Sequence, residues 1–313
     1  MARWRFLQRP ARDRGVALIT AILISALASL VATDLAWDSA LEVRRTMVQL
    51  QRDQALQIAM GAESWVISIL HQDSADSQTD HLGEIWAQEL PGLPIEGGEV
   101  FGSVSDLQGR FNINNLINDE GAVETASLEQ FRRLLDALGL DPRFAGITAD
   151  WLDGDLEAGF PDGAEDPIYT SILPPYRTAN QMLTSVSELQ ALEGMDKETF
   201  DLLSQHVVAL PGRTAINVNT ATPAVLQSLD ENISATAVES LLSEREDGGF
   251  ADLETTFSSL VQPDVLNSLD EVTNFFQLKV VVRIDTVQFT LYSLLQRSPR
   301  GDVTPILRSF GTT

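Results

Sequence analysis

The apolar residues near the N-terminus form a pattern that predicts one long helix. Val16 to Thr33 is a run of eighteen residues without a charged side chain, and neither proline nor glycine occurs from Val16 to Met60. Apolar residues continue at helical spacing at Leu41, Val48, Ala55, Ala59, Ala62, Val66 and Ile69. The pattern predicts a helix from about Val16 to about Leu70, roughly 80 Å long at 1.5 Å per residue.

The uncharged run predicts a membrane anchor, because eighteen helical residues span roughly 27 Å, close to the thickness of a bilayer core. Five arginines and one aspartate precede it, so the N-terminus is expected in the cytoplasm and the body outside. Three interpretations are open: a permanent single-pass anchor, a secretory signal peptide with small residues at Ala26 and Ala28, or cleavage after Gly15. The unbroken helical pattern disfavours the signal peptide.

The remaining chain predicts a small antiparallel sheet interrupted by a helical block. Val100–Asn112 alternates around Asp106–Arg110, which indicates a strand, a turn and a returning strand. Further strands are expected over Phe275–Ile284 and Val287–Leu295, joined near Asp285, and over Pro305–Phe310. Helices are expected over Ser127–Leu138, Ser185–Leu192, Lys197–Val208, Pro223–Leu229 and Ala235–Glu246. The fold class is therefore α+β, with a helical domain inserted between the strands of a sheet that packs on the long helix.

Charge and composition exclude several functions. The chain carries a net charge of −24, and its basic residues at the N-terminus leave the body still more acidic, which disfavours binding to nucleic acid or anionic lipid. The chain has no cysteine, which excludes disulfides, thiolate metal sites and a cysteine nucleophile. The sequence also lacks a glycine-rich phosphate loop, a nucleophile elbow and a histidine-based metal motif.

The segment from Asp150 to Asp166 is the strongest chemical signal, with seven carboxylates and no basic residue. Its acids repel one another unless solvent or a cation relieves them. Ca²⁺ accepts six to eight oxygen ligands at flexible geometry, and the glycines of the segment let the backbone fold around an ion. The candidate ligands are Asp150, Asp153, Asp155, Glu165 and Asp166. The alternatives are a solvated acidic loop and a paired-carboxylate hydrolase site, which here lacks a visible sugar platform.

Ile216–Ala221 and the helices after it resemble helix-hairpin-helix modules, which bind DNA phosphates through a Gly-x-Gly hairpin. Here the hairpin position, Asp230–Ser234, has two acids and no glycine. A helical packing module without nucleic acid is expected, with Asn217 and Thr220 as turn and cap residues.

Several motifs carry a resemblance to one family. Arg14–Thr20 looks like a type IV prepilin cleavage region. The segments that resemble general secretion pathway protein K, the large minor pseudopilin of the type II secretion system, are Arg44–Arg45, Asp53–Leu56, Ala59–Glu63, Asp106–Leu116, Asp150–Asp155 and Gly163–Tyr169. The resemblance implies a pseudopilin fold with an inserted all-α, SAM-like or helix-hairpin-helix-like domain that binds two calcium ions.

The resemblance also implies processing and partners. Prepilin peptidase would cut after Gly15 and methylate the amine of Val16. Thr20 stands where most pilins have a glutamate, a departure that K proteins share and that fits a subunit at the filament tip. The alternative is that Thr20 is simply a tolerated hydroxyl in a transmembrane helix. The implied partners are the minor pseudopilins of the I and J type, the other pseudopilins of the filament, prepilin peptidase and the inner membrane.

The expected organisation has five parts: a leader over 1–15, a transmembrane part over 16–36, pseudopilin domain over 37–112, the inserted α-domain over 113–271, and the rest of the pseudopilin domain over 272–313. The expected role is non-enzymatic: a periplasmic body anchored in the bacterial inner membrane that caps the pseudopilus tip and helps to start its assembly for protein export. The alternative is a generic membrane-anchored periplasmic scaffold or binding protein.

Overall fold

The computed structural model describes residues 13–246 and 248–311 of the chain. Its helices are α1 (Asp13–Asp76), α2 (Thr125–Ala137), α3 (Phe144–Leu152), α4 (Asp166–Tyr169), α5 (Lys197–Leu203), α6 (Pro223–Ser228), α7 (Ala235–Arg245), α8 (Leu253–Phe257) and α9 (Pro263–Leu266). Its strands are β1 (Leu90–Ile95), β2 (Gly98–Asp106), β3 (Phe111–Asn112), β4 (Val207–Val208), β5 (Ile216–Asn217), β6 (Leu269–Asp270), β7 (Phe275–Ile284), β8 (Val287–Arg297) and β9 (Val303–Phe310). Short 3-10 helices cover Ile85–Ala87, Ile113–Leu116 and Val186–Ala191. Most of the expected leader, residues 1–12, lies outside the described residues.

The predicted long helix is confirmed as α1, which continues to Asp76, six residues beyond the predicted end. Its 64 residues extend about 96 Å at 1.5 Å per residue. The side chains of residues 16–50 are exposed, and by length and composition this helix is able to cross a membrane. Packing against the body begins near Ala55, later than the apolar spacing predicts, because Leu41 and Val48 remain exposed.

A five-stranded antiparallel sheet packs on the C-terminal part of α1, in the order β1-β2-β7-β8-β9. Every second side chain of β7 from Phe276 to Ile284 is buried, in one core with Ala55, Ala59 and Leu70 of α1. Alternation along a strand puts these residues on one face of the sheet. The predicted strands β7 and β8 are confirmed.

The buried carboxylate of Glu63 forms an ion pair that fixes α1 against the sheet. Glu63 of α1 accepts a hydrogen bond from the hydroxyl of Ser293 on β8. Its Oε2 lies 2.7 Å from Nη2 of Arg308 on β9. A buried carboxylate without partners is costly, so this contact selects one register of helix on sheet.

The predicted return strand after Asp106 is wrong. The strand before it, β2, pairs with β7 from Gly98 opposite Ile284 to Asp106 opposite Phe276, and its other edge pairs with β1. The chain then leaves the sheet, and β3 pairs in parallel with β4. The sequence does not predict β1 because the strand contains two prolines, which only an edge strand tolerates.

The residues between β2 and β7 build a second apolar core. Phe111 and Phe131 stack at its centre, with ring centroids 5.3 Å apart. Helices α2, α6 and α7 begin and end within two residues of the predicted bounds. The helix predicted to reach Val208 ends at Leu203, because Val207 and Val208 form β4. The segment after Ser185 forms a 3-10 helix.

Asp106, the last residue of β2, holds this insertion on the sheet. Its Oδ2 accepts hydrogen bonds from the hydroxyls of Thr220 and Thr273 and from the side-chain amide of Asn217. Its Oδ1 accepts the backbone amide of Gln108 at 2.6 Å. Burial raises the pKa of Asp106 to about 6, although the donors from Thr220 and Thr273 oppose the shift. One carboxylate therefore joins the sheet to two distant parts of the insertion.

Candidate metal centre

The acidic segment starts on a buried helix. The chain forms α3 because Phe144–Leu152 is almost entirely apolar, and eight of its nine residues are buried. Asp150 lies in its last turn and Asp153 caps its C-terminus, and the two are 2 % and 5 % exposed. The two buried carboxylates therefore lie where α3 ends and the acidic loop begins.

Three of the predicted ligands come together. One carboxylate oxygen each from Asp153, Asp155 and Glu165 lies within 4.8 Å of the other two. Asp153 and Glu165 are buried, whereas Asp155 is exposed. Asp153 Oδ1 and Glu165 Oε1 are buried without a hydrogen-bond partner among residues 13–246 and 248–311. A buried oxygen without a donor is costly, and a cation at this point relieves both.

The other two predicted ligands have different surroundings. Asp150 Oδ2 accepts a hydrogen bond from the amide of Gly159 at 3.0 Å, so this carboxylate stabilises the curved backbone of the loop. A Cβ atom at Gly163 would collide with Asp150 Oδ2 and with the backbone of Gly159, which explains the glycine at position 163. Asp166 Oδ1 accepts both the amide and the hydroxyl of Thr178 at 3.2 Å. The structure therefore separates the Asp153, Asp155 and Glu165 cluster from two loop-positioning acids.

Asn180 is a site residue that the sequence analysis misses. Its backbone has a φ of 47°, its amide donates to Trp151 O at 3.0 Å, and its Nδ2 donates to Asp155 O at 2.7 Å. Its Oδ1 is buried and has no donor in the described part of the chain. Asn180 lies 25 residues beyond Asp155 in a segment without an acidic pattern, so no local signal marks it.

Three aromatic side chains pack against one another where the acidic segment begins and ends. Trp151 lies with its ring centroid 5.1 Å from that of Tyr169 and 6.2 Å from that of Tyr176. These three side chains pack together, whereas Phe160 in the same region is 98 % exposed.

Burial and mutual repulsion disfavour the charged forms of these acids. Burial raises the pKa of Asp153 to about 6, and the neighbouring charges of Asp155 and Asp150 add to the rise. Burial also raises the pKa of Asp150 and that of Glu165. A bound cation would reverse this cost, because it stabilises the deprotonated carboxylates.

The donor set fits a hard divalent cation. It consists of one carboxylate oxygen each from Asp153, Asp155 and Glu165. Ca²⁺ binds oxygen ligands in irregular geometry and accepts water at remaining positions, whereas Mg²⁺ requires a stricter octahedron. Soft metals are disfavoured, because the chain has no cysteine and the cluster contains no histidine.

Comparison with known proteins places the chain in a family. Two family models described as type II secretion system (T2SS), protein K, match residues 109–212 and 216–272. Type II secretion system protein K of Pseudomonas aeruginosa is 33% identical over 96% of this chain and 93% of its own length. The chain belongs to the type II secretion system protein K family. The expected membership of the K family is thereby confirmed.

Other members of the K family are similar over comparable lengths. The protein of Pectobacterium carotovorum is 33% identical over 96% of this chain and 97% of its own length. A chain in the crystal structure of the GspK-GspI-GspJ complex from enterotoxigenic Escherichia coli shares the fold, with a TM-score of 0.76 and 24% identity. The likeness covers 86% of this chain and 100% of that chain. The expected fold class is confirmed.

The raised pKa of Asp153 predicts how the stability of the metal-free chain depends on pH. Its folded-state pKa of about 6 lies above the ordinary value of 3.8, so the folded state holds the proton more tightly. The resulting stabilisation is complete below pH 4 and is lost as the pH rises through 6. We expect Asp153→Asn, which is neutral throughout, to gain about 2 kcal/mol relative to wild type between pH 4 and 7.

Thermal or urea unfolding of the detergent-solubilised chain in EGTA, at pH 4, 5, 6 and 7, measures this difference. Asp106 has a pKa raised in the same direction, but it is present in both proteins and cancels. Stability curves of wild type and Asp153→Asn that stay parallel across this range would contradict the prediction.

Proposed function

We propose that this chain is a non-enzymatic minor pseudopilin that caps the tip of the pseudopilus and helps to start its assembly for protein export across the outer membrane. The observation that supports this proposal is the position of the insertion in a member of the K family. Asn217 of the insertion donates to Asp80 O at 3.0 Å, just beyond the C-terminal end of α1. A bulky domain at this end, away from the membrane run, suits the end of a filament better than a repeating position.

The proposed anchor is the first part of α1 in the inner membrane. The exposed side chains of 16–33 are uncharged, and the arginines before them favour a cytoplasmic N-terminus with a periplasmic body. Above this run, Trp37, Val43, Met47 and Leu50 are also exposed. We expect these apolar side chains to pack against the helices of neighbouring pseudopilins.

Thr20 supports a terminal position. Its hydroxyl donates to Val16 O at 3.1 Å and to Ala17 O at 3.0 Å, so its one donor proton is used inside its own helix. A glutamate here, as in most pilins, would neutralise the N-terminal amine of an adjacent subunit within an apolar filament core. Thr20 carries no charge for that purpose, and a buried unpaired amine is costly. A subunit at the tip has one neighbouring subunit fewer and therefore one N-terminal amine fewer to neutralise.

The proposed partners are the minor pseudopilins of the I and J type, followed by the other pseudopilins. The support is the fold that this chain shares with a chain of the GspK-GspI-GspJ complex. The net charge of −24 disfavours binding to nucleic acid phosphates.

The tip position is tested by labelling. Because the chain has no cysteine, Asp119→Cys in an exposed turn of the insertion provides one unique site for a gold label. We expect electron microscopy of pseudopili assembled with the I and J type proteins to show gold at one end of each filament. The cysteine-free wild type controls for non-specific label. Gold distributed along the filaments would contradict capping.

Processing at the predicted junction is tested by the mature N-terminus. We expect mass spectrometry of the chain from cells that contain prepilin peptidase to show an N-methylated Val16. Gly15→Val should retain the leader, because a branched side chain at the cut obstructs the peptidase. Gly61→Ala, in the same helix with open space around it, is the matched control. An intact Met1, or a start after Ala28, in the wild type would contradict processing.

We also propose that the Asp153, Asp155 and Glu165 cluster binds calcium as a structural ion. EGTA should lower the melting temperature of the solubilised chain, and calcium should restore it. Asp153→Asn and Asp155→Asn should each weaken this response, because each removes a charged ligand. Glu157→Gln removes one charge from an exposed position of the same loop and should respond as wild type does. A melting temperature insensitive to EGTA would refute the ion.

A further inference from the structure

A second group of acids lies far along the chain from the acidic loop, where α1 ends. One carboxylate oxygen each from Asp73, Asp80 and Glu84 lies within 4.8 Å of the other two. We propose that these three residues form a separate binding site for a hard divalent cation, Ca²⁺, at the joint between α1, the sheet and the insertion.

The buried carboxylate of Asp80 points to a missing ligand. Asp80 is 2 % exposed, and its Oδ2 accepts the guanidinium of Arg297 and the amide of Thr273, the latter at 2.6 Å. Its Oδ1 is buried with no hydrogen-bond partner in the described ranges. The burial of such an oxygen beside two further acids is costly unless a cation binds there.

The charge of the cluster fits a divalent ion. Arg297 is 4 % exposed, and its Nη1 lies 3.5 Å from Asp73 Oδ2. This guanidinium is the one Lys or Arg group that forms an ion pair with any of the three acids in the described structure. Three carboxylates and one guanidinium leave two negative charges, which one divalent cation neutralises.

The surroundings favour oxygen ligands over nitrogen. Nδ1 of His81 accepts the amide of Gly83 at 3.1 Å, so the neutral ring has its proton on Nε2, which faces Glu84 Oε1 at 3.7 Å. That histidine therefore offers no free lone pair to a transition metal. Glu84 Oε2 accepts the indole of Trp86 at 2.6 Å, which holds the carboxylate in place. Asp73 and Glu84 are partly exposed, so water has access to complete the coordination of Ca²⁺.

An ion here would connect three parts of the fold. Asp73 is in the last turn of α1, and Asp80 is bonded to Arg297 at the end of β8 and to Thr273 at the end of the insertion. The amide of Asp80 also donates to Glu271 O at 2.8 Å. A cation bound to these acids would lock the end of the long helix to the joint that supports the insertion.

The number of bound calcium ions tests the proposal. The metal-stripped full chain in detergent is titrated with calcium and compared with Asp73→Asn, a variant that keeps the shape of the side chain. We expect Asp73→Asn to bind one calcium equivalent fewer per chain than wild type and to keep the response of the acidic loop to EGTA. Asp76→Asn, an exposed acid in the same helical turn, should bind as many ions as wild type.

Terbium luminescence gives the second measurement. Trp86 contacts Glu84 and would sensitise Tb³⁺ bound at this cluster, whereas Trp151 lies beside the acidic loop. Trp86→Phe and Asp73→Asn should each remove the same part of the tryptophan-sensitised emission. Circular dichroism equal to that of wild type shows that both variants fold.

Two results would overturn the proposal. Calcium counts that are equal for wild type and Asp73→Asn would show that the acids are relieved in another way, such as a shared proton. Terbium emission unchanged by Trp86→Phe would show that no ion binds near that indole. Neither result bears on the acidic loop, whose own variant, Asp153→Asn, reports on it separately.

Discussion

The structure depends on the buried carboxylate of Asp106. This residue ends the strand from which the insertion departs, and its oxygens accept donors from Thr220 in the insertion and Thr273 on the return to the sheet. The two large apolar cores lie each within its own unit, and a small cluster of Leu107, Val208, Leu210 and Phe275 joins them. Apolar contact has no preferred direction, so this small cluster constrains the relative placement of the two units less than directional bonds do. A directional network around a buried charge determines it, because an unsatisfied carboxylate at this depth is costly.

The hydrogen bonds of Asp106 lie between two parts of the chain with different surroundings, the long helix with its sheet and the insertion. The first half of α1 remains exposed and apolar, available to a membrane and to neighbouring helices, while Glu63 and Arg308 fix its second half on the sheet. The insertion, with its acidic loop, lies beyond the C-terminal end of α1. In the proposed role, this member of the K family would combine the anchor of a filament subunit with a body placed at the filament tip.

The acidic loop could be predicted in part. The density of acids and glycines between Asp150 and Asp166 indicates cation binding, and Asp153, Asp155 and Glu165 do converge. Sequence alone does not separate these from Asp150 and Asp166, because hydrogen bonds to Gly159 and Thr178 give the latter two other roles. Asn180 has no local signal at all, since only the folding of a distant segment brings it to the Asp155 backbone.

The sequence by itself determined the elements that rest on local periodicity: the long helix, the strands β7 and β8 with their turn at Asp285, and the helices α2, α6 and α7. Their apolar spacing is repeated often enough to outweigh competing patterns. Only the tertiary structure decided the edge strand β1, the parallel pairing of Phe111 with Val207, and the clusters around Asp106 and Asp80. These depend on partners far apart in the chain, and a pair of short strands or a single buried acid has no periodicity of its own to read.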